Sequence, residues 1–234
     1  MSDTRRKALY GRRRGHPLRQ GRAELLATTL PRLQVALADA PAPAAWFAKP
    51  YARYELEIGF GGGEHLAARA AAHPDTGFIG CEFFINGIAK LLAAVADGGH
   101  ENIRIHDGDA HDVLAVLPPA SLSCVHLLYP DPWPKRRHHK RRFINAENLD
   151  TLFRILAPDG RLMLASDFPD YVGWMLAQIR AHGGFSWDAI SPRDWTDPPA
   201  DWTGTRYEAK ARTAGRPPTY LAFTRRKTAK SGHL

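Results

Sequence analysis

From Tyr54 onward the chain alternates between short apolar runs and stretches where Leu, Ile and Ala return every three or four residues. The first pattern fits buried strands, the second helices with one apolar face. The runs predict strands over Tyr54–Phe60, Phe78–Glu82, Ile103–His106, Leu122–Leu128 and Gly160–Ser166. Between them the spacing predicts helices over Glu64–Ala72, Phe84–Ala96, His111–Leu117, Phe143–Leu156 and Tyr171–His182. Such alternation predicts an α/β fold: a mostly parallel sheet with helices on both faces. Two later candidates, Arg206–Ala211 and Thr219–Thr224, flank a Gly-Arg-Pro-Pro turn and would close the sheet as an antiparallel hairpin. No internal repeat is visible.

Upstream of this body, residues 21–38 carry helical spacing interrupted near Pro31, and Ala40-Pro41-Ala42-Pro43 reads as a linker. The chain therefore divides into a basic, flexible arm (1–22), a helical segment with its linker (23–50), one main domain (51–227) and a short tail (228–234).

Composition narrows the class. At 234 residues and 44% apolar, the chain can bury a full core and is not disordered as a whole. Cys81 and Cys124 lie in apolar strand-like runs and read as buried thiols rather than zinc ligands. No secretion signal and no run long enough to span a membrane is present, so a soluble, cytoplasmic protein is expected. The net charge of +8 is unevenly spread. Residues 1–22 and 206–234 each hold eight Lys/Arg against one acid, and 135–142 hold six against none. A basic rim around an acidic body predicts a polyanionic partner.

The candidate chemistry sits where strands end. The first strand runs into Glu57-Ile58-Gly59-Phe60-Gly61-Gly62-Gly63, a glycine loop that opens a helix. Glu64 stands where a dinucleotide fingerprint needs glycine. An acid beside such a loop suits a cationic cofactor, and S-adenosylmethionine carries both an ammonium and a sulfonium. Glu82 ends the second strand, where an acid can accept ribose hydroxyls. Asp109 follows the third and could accept an adenine amine, with Asp107 and Asp112 as neighbouring competitors. After the fourth comes Tyr129-Pro130-Asp131-Pro132-Trp133-Pro134, then the basic run Lys135–Arg142. A carboxylate and an aromatic beside phosphate-seeking cations predict a pocket for a base within a nucleic acid.

The order LEIGFGGG, GCEFF, GDAHDVL, YPDPWPKRRHHKRR, ASDFPDY and TGTRYEAK resembles the tRNA (guanine-N7-)-methyltransferase family over nearly the whole chain. The PDPWPK block and the late T-x-Y-E-like block are the specific parts; the glycine loop is generic to class I methyltransferases. The resemblance implies a Rossmann-like fold with a seven-stranded sheet and transfer of a methyl group to a variable-loop guanosine of tRNA. It implies that Glu57, Gly59, Gly61, Gly63, Glu82, Asp109 and Asp131 surround S-adenosylmethionine, with Asp131 as the active-site acid. It further implies that Lys135, Asp167, Thr205, Arg206, Tyr207 and Glu208 bind the substrate. Arg137, His138, His139, Lys140, Arg141 and Arg142 would then contact RNA. No metal is expected, and a monomer or a homodimer fits equally. The competing readings are a methyltransferase acting on an exocyclic amine, as with N6 of adenine, and a non-catalytic RNA-binding subunit.

Overall fold

The computed structural model describes residues 11–37 and 42–227. After α1 (Gln20–Thr28) and α2 (Leu30–Leu33), strands and helices alternate through β1 (Arg53–Ile58), α3 (Glu64–Ala72), β2 (Thr76–Cys81), α4 (Ile85–Gly98) and β3 (Ile103–His106). The pattern continues through α5 (Ala110–Val116), β4 (Leu122–Leu128), α6 (Ala146–Ile155), β5 (Leu156–Ser166) and α7 (Pro169–His182). The chain closes with β6 (Phe185–Trp187), α8 (Arg193–Thr196), α9 (Arg206–Thr213) and β7 (Thr219–Arg225). Pro31 occupies the first turn of the short α2, so the expected interruption of the upstream helix is present.

One seven-stranded sheet has the order β3-β2-β1-β4-β5-β7-β6. β1 to β5 run parallel, and β7 is antiparallel to both of its neighbours. Leu66, Ile88, Leu91 and Leu92 of α3 and α4 form one apolar cluster with Phe78, Ile103 and Ile105. Val113, Leu149, Leu152 and Met175 of α5, α6 and α7 form the other, with Leu56, Val125 and Leu164. Helices on both faces explain why the central strands read as unbroken apolar runs. The α/β architecture predicted from the pattern is therefore the one observed.

The closing hairpin is built differently from the expectation. Arg206–Ala211 is not a strand: it begins α9, and β7 pairs instead with β6, three residues long. The Thr205 hydroxyl caps α9 by accepting from Glu208 N–H at 3.0 Å, and Ala209 to Arg212 are good helix formers. Alternating large and small residues in Arg-Tyr-Glu-Ala-Lys-Ala imitate a strand period.

From Gly11 the N-terminal arm lies against the start of α4. Ile85 N–H donates to Arg13 O at 3.0 Å, Gly15 N–H to Asn86 Oδ1 at 2.8 Å, and Arg13 Nη1 to Asp107 O at 3.0 Å. Residues 1–10 of the arm, Ala40-Pro41 of the linker and the 228–234 tail lie outside the described residues. Among the described residues no helix is long and apolar enough to cross a membrane. Cys81 and Cys124 are buried and unbridged, and burial pushes both thiols well up.

Candidate active site

Chain order reverses between β1 and β4, the position where open α/β sheets leave a crevice at the carboxyl ends of their strands. The glycine loop after β1 lies there. Gly59, Gly61 and Gly63 have φ of +71°, +59° and +77°, values that a side chain rarely adopts. Two of them also meet close neighbours: a Cβ on Gly61 would lie 2.9 Å from Tyr207 Cε2, and one on Gly63 2.7 Å from Leu91. Gly59 differs, because nothing lies within 4 Å of its missing Cβ, so the loop has open room beside it. α4 closes on the loop through Gly87, whose Cβ would fall 2.0 Å from Gly61 O. Gly87 carries no signal in the sequence, since one glycine inside a helix means nothing until its neighbour is known.

Glu82 ties these parts together. Its carboxylate accepts from Gly61 N–H at 2.7 Å, Phe83 N–H at 2.7 Å and Phe84 N–H at 2.8 Å. Burial raises its pKa, and the three backbone donors oppose that rise. A carboxylate has about four acceptor positions, so one is left for a ligand.

Gly59, Glu82, Asp109, Asp131, Trp133 and Arg141 line a cleft of about 520 Å³. A second lobe of similar volume, about 520 Å³, shares Gly59, Glu82, Asp131 and Trp133 and extends to Gly61, Arg206 and Tyr207. The two are one continuous crevice. Five of the acids and glycines expected around the cofactor thus converge: Gly59, Gly61, Glu82, Asp109 and Asp131. Of the nearby competitors, Asp107 is engaged by Gln34 and Arg13, and Asp112 faces His106.

Asp131 is the least engaged of these acids. It makes no hydrogen bond or ion pair among the described residues, and loss of surrounding water alone raises its pKa. Its side chain is exposed, since it stands at the mouth of the crevice rather than inside the core. The backbone around it is strained: Tyr129 has φ +53° and Trp133 φ +43°. Non-glycine residues persist in that region only where the surroundings hold them, and such residues concentrate at functional sites. Pro130, Pro132 and Pro134 restrict the rest of the loop.

The basic run folds as a 3-10 turn over Arg136–Arg141. Lys135, Arg137 and Lys140 are exposed; His138 is half-buried against the edge of Trp133 at 5.8 Å, and His139 against Trp174 at 5.5 Å. Arg141 lies 4.9 Å over the Trp133 ring. Arg142 corrects an expectation. Its side chain is 1% exposed, donates to Pro132 O at 2.9 Å and to Asp170, and stacks 5.1 Å from both Tyr171 and Trp174. It pins the Pro-Asp-Pro-Trp loop from behind and cannot touch RNA as placed.

The remaining expected residues are partly dispersed. Arg206 and Tyr207 reach the cleft from the first turn of α9, and Tyr207 is 39% exposed. Thr205 is the helix cap. Glu208 is buried and accepts from Trp202, Tyr220 and Arg212, which makes it an internal anchor of α9 rather than a surface contact. Asp167 pairs with Arg216 at 2.7 Å, and Lys135 lies outside the cleft lining. Glu57 is buried 2.8 Å from His65 Nδ1, behind the loop, and Gly63 caps α3.

Beneath the sheet's carboxyl edge, Glu55, Cys124 and His126 bring three metal-type ligands together. Arg69 already binds both Glu55 oxygens, at 3.1 and 3.0 Å, and supplies the positive charge that a metal would bring.

The comparisons with known proteins agree with this geometry. Residues 52–221 match the model of a family described as "Putative methyltransferase". A protein of Azorhizobium caulinodans named tRNA (guanine-N(7)-)-methyltransferase is 52% identical over 96% of this chain and 98% of its own. Relatives with the same name from Rhizobium meliloti and Rhodospirillum rubrum are 51% and 50% identical, covering 96% and 93% of this chain and 100% and 87% of their own. Among solved structures, the 16S rRNA methyltransferase KamB aligns with a TM-score of 0.55 at 16% identity, covering 75% of this chain and 89% of that one. A 16S rRNA (adenine(1408)-N(1))-methyltransferase from Catenulisporales acidiphilia aligns at 0.53 and 17%, covering 79% and 89%. At such identities the structures support the fold alone. Near-complete coverage at about half identity supports more, and the chain belongs to the tRNA (guanine-N(7)-)-methyltransferase family.

Proposed function

We propose that this protein transfers the methyl group of S-adenosylmethionine to N7 of a variable-loop guanosine in tRNA. The observation that carries the reading is the convergence of Glu82, Asp109 and Asp131, each following a different strand, on one cleft beside the open Gly59. Relatives of about half identity along the whole chain bear the name of that activity. Neither exocyclic-amine methylation nor a non-catalytic role finds support among them.

The cleft fits the donor. Carboxylates suit its ammonium and sulfonium, and Gly59 leaves room for close approach to the backbone. When bound, S-adenosylmethionine supplies an electrophilic methyl on a sulfonium. Guanine N7 carries a free lone pair, so a carbon–nitrogen bond forms as the sulfur–carbon bond breaks. The electron pair stays on sulfur, the positive charge passes to the purine, and no proton need leave. The protein's task is then alignment and charge, not proton removal.

Asp131 opposes the charge that grows on the base. Glu82 receives the ribose, Asp109 the adenine amine, and Gly59, Gly61 and Gly63 shape the loop that holds the donor. Glu57, paired with His65, acts by its charge from behind that loop. Lys135, Asp167, Arg206 and Tyr207 bind the guanosine side, with Thr205 and Glu208 keeping α9 over the cleft. Arg137, His138, His139, Lys140 and Arg141 meet phosphates, which give affinity without reading sequence. The protein works in the cytoplasm, and the reaction as written uses no metal.

N7-methylation makes a purine ring labile, so borohydride and aniline treatment of product tRNA breaks the chain at the modified residue. A single new break in the variable loop is expected. Breaks elsewhere, or none after complete methyl transfer, would overturn the assignment.

A further inference from the structure

In the part of the cleft that Tyr207 does not line, the His111 ring touches two acceptors. Its Nδ1 lies 2.7 Å from Asp109 Oδ1 and its Nε2 3.1 Å from Asn148 Oδ1. Asp109 is ionised: burial works against its charge, but the side chain and backbone of His111 together hold its pKa below the usual carboxylate range. An ionised carboxylate only accepts. Asn148 must present its oxygen to the ring, because its Nδ2 donates to Phe143 O at 2.7 Å. Turning that amide over would set two oxygens against each other. A neutral imidazole has one N–H and can satisfy one of these partners. Two acceptors require two donors.

We infer that His111 is held as an imidazolium and is a positioning residue for cofactor binding, fixing Asp109 so that its free oxygen faces the adenine amine. The backbone N–H of His111 also donates to Asp109 Oδ1, at 3.0 Å, so both donors that residue 111 gives to Asp109 fall on that one oxygen. Asp109 Oδ2 takes no hydrogen bond among the described residues and is left for an exocyclic amine. Losing the ring's charge removes one donor, and either Asp109 or Asn148 is then released. The inference rests on reading Asp109 as the adenine acceptor, as proposed above.

The other charged groups around the ring come from every wall. Glu82 after β2 and Asp131 after β4 line the same cleft and favour the imidazolium. Lys140 and Arg141, with the buried Arg142, line it too and oppose the charge, as does the positive end of α6. The neighbouring His106–Asp112 pair, 3.6 Å apart, lies between β3 and α5. Asp109 and Asn148 are in hydrogen-bond contact with the ring. Phe143, at 5.5 Å, covers one side of it.

The test has two parts on the full chain. The first is an NMR titration of the ring nitrogens in the free protein, assigned by the signals lost in His111→Gln. Both nitrogens protonated at pH 7, with a midpoint above the ordinary value of about 6.5, is the expected result. A ring that is neutral at pH 7 would overturn the imidazolium. The second is calorimetry with S-adenosylmethionine from pH 6 to 9. Wild-type affinity should fall about tenfold as the ring deprotonates, on the scale of one charge-assisted hydrogen bond. His111→Gln should bind more weakly and show no such step, which also controls for titration of the donor's own amine. Identical pH profiles for the two proteins would overturn the positioning role. No binding by either protein at any pH would instead refute the methyl-donor reading, and the titration of the free protein is independent of that outcome.

Discussion

Asp131 and Arg142 stand eleven residues apart in one loop system and carry opposite kinds of role. Glu82 is held by three backbone donors and Asp109 by His111, whereas Asp131 has no such partner. An unengaged carboxylate is available to a ligand, and its removal leaves nothing unpaired. Asp131→Asn should therefore lower kcat by about a hundredfold or more while shifting stability by about 0.5 kcal/mol or less. Single-turnover kinetics and urea unfolding measure the two effects. Arg142 should behave in the reverse way. Arg142→Leu leaves Pro132 O without its donor and removes stacking on two aromatics, while Asp170, 60% exposed, regains water, so a loss of about 1–3 kcal/mol is expected in urea unfolding. From the chain alone, six cations in eight residues read as one solvated, phosphate-seeking surface. Burial of the last is set by Asp170, Tyr171 and Trp174, which lie in a different helix. The acids were easier to find, because each follows an apolar run that marks its strand. The part played by His111 depends on Asn148, 37 residues later, and no local pattern announces it.

Elements were legible where their periodicity is long and their ends are marked. Ile103–His106 and Leu122–Leu128 fall where the apolar runs place them, and α3 spans the residues that its helical spacing predicts. β6 is not legible in the sequence, because three residues carry too little alternation to register. α9 reads as a strand in the sequence because its period-two pattern outweighs the Thr205-x-x-Glu208 start signal. That cap supplies a check: Thr205→Ala should cost about 1 kcal/mol, read in chemical denaturation. The contact between α4 and the glycine loop supplies another. Gly87→Ala drives a methyl into Gly61 O, so the loop must move away from Glu82. We expect a loss of about 1–3 kcal/mol in stability, with weaker S-adenosylmethionine binding by calorimetry. Unchanged binding would mean that the loop does not hold the donor.

Charge governs the molecule as a whole. Glu55, Asp109 and Asp201 have pKa values held below the ordinary range; burial acts against their charge, and His126, His111 and Arg69 respectively outweigh it. A group of this kind stabilises the fold above its unfolded pKa, and that contribution disappears as pH falls through the lower folded value. Stability should accordingly be steady from neutral pH to about 5, then decline below about 4, where unfolded carboxylates begin to protonate. Urea midpoints at pH 3 and pH 6 test the sign; equal midpoints would contradict it. The exposed part of the basic turn acts outward. Replacing the exposed Arg137 and Lys140 with Gln should reduce the log–log salt slope of tRNA binding by about 1.4–1.8, one phosphate each.

The central claim is that three strand-end acids align one methyl donor with guanine N7. It is tested most directly by incubating the protein with methyl-labelled S-adenosylmethionine and unfractionated tRNA, then digesting the RNA to nucleosides. The account predicts label in N7-methylguanosine and its loss with Asp131→Asn. Label in N6-methyladenosine, or N7-methylguanosine formed equally well by the variant, would contradict it.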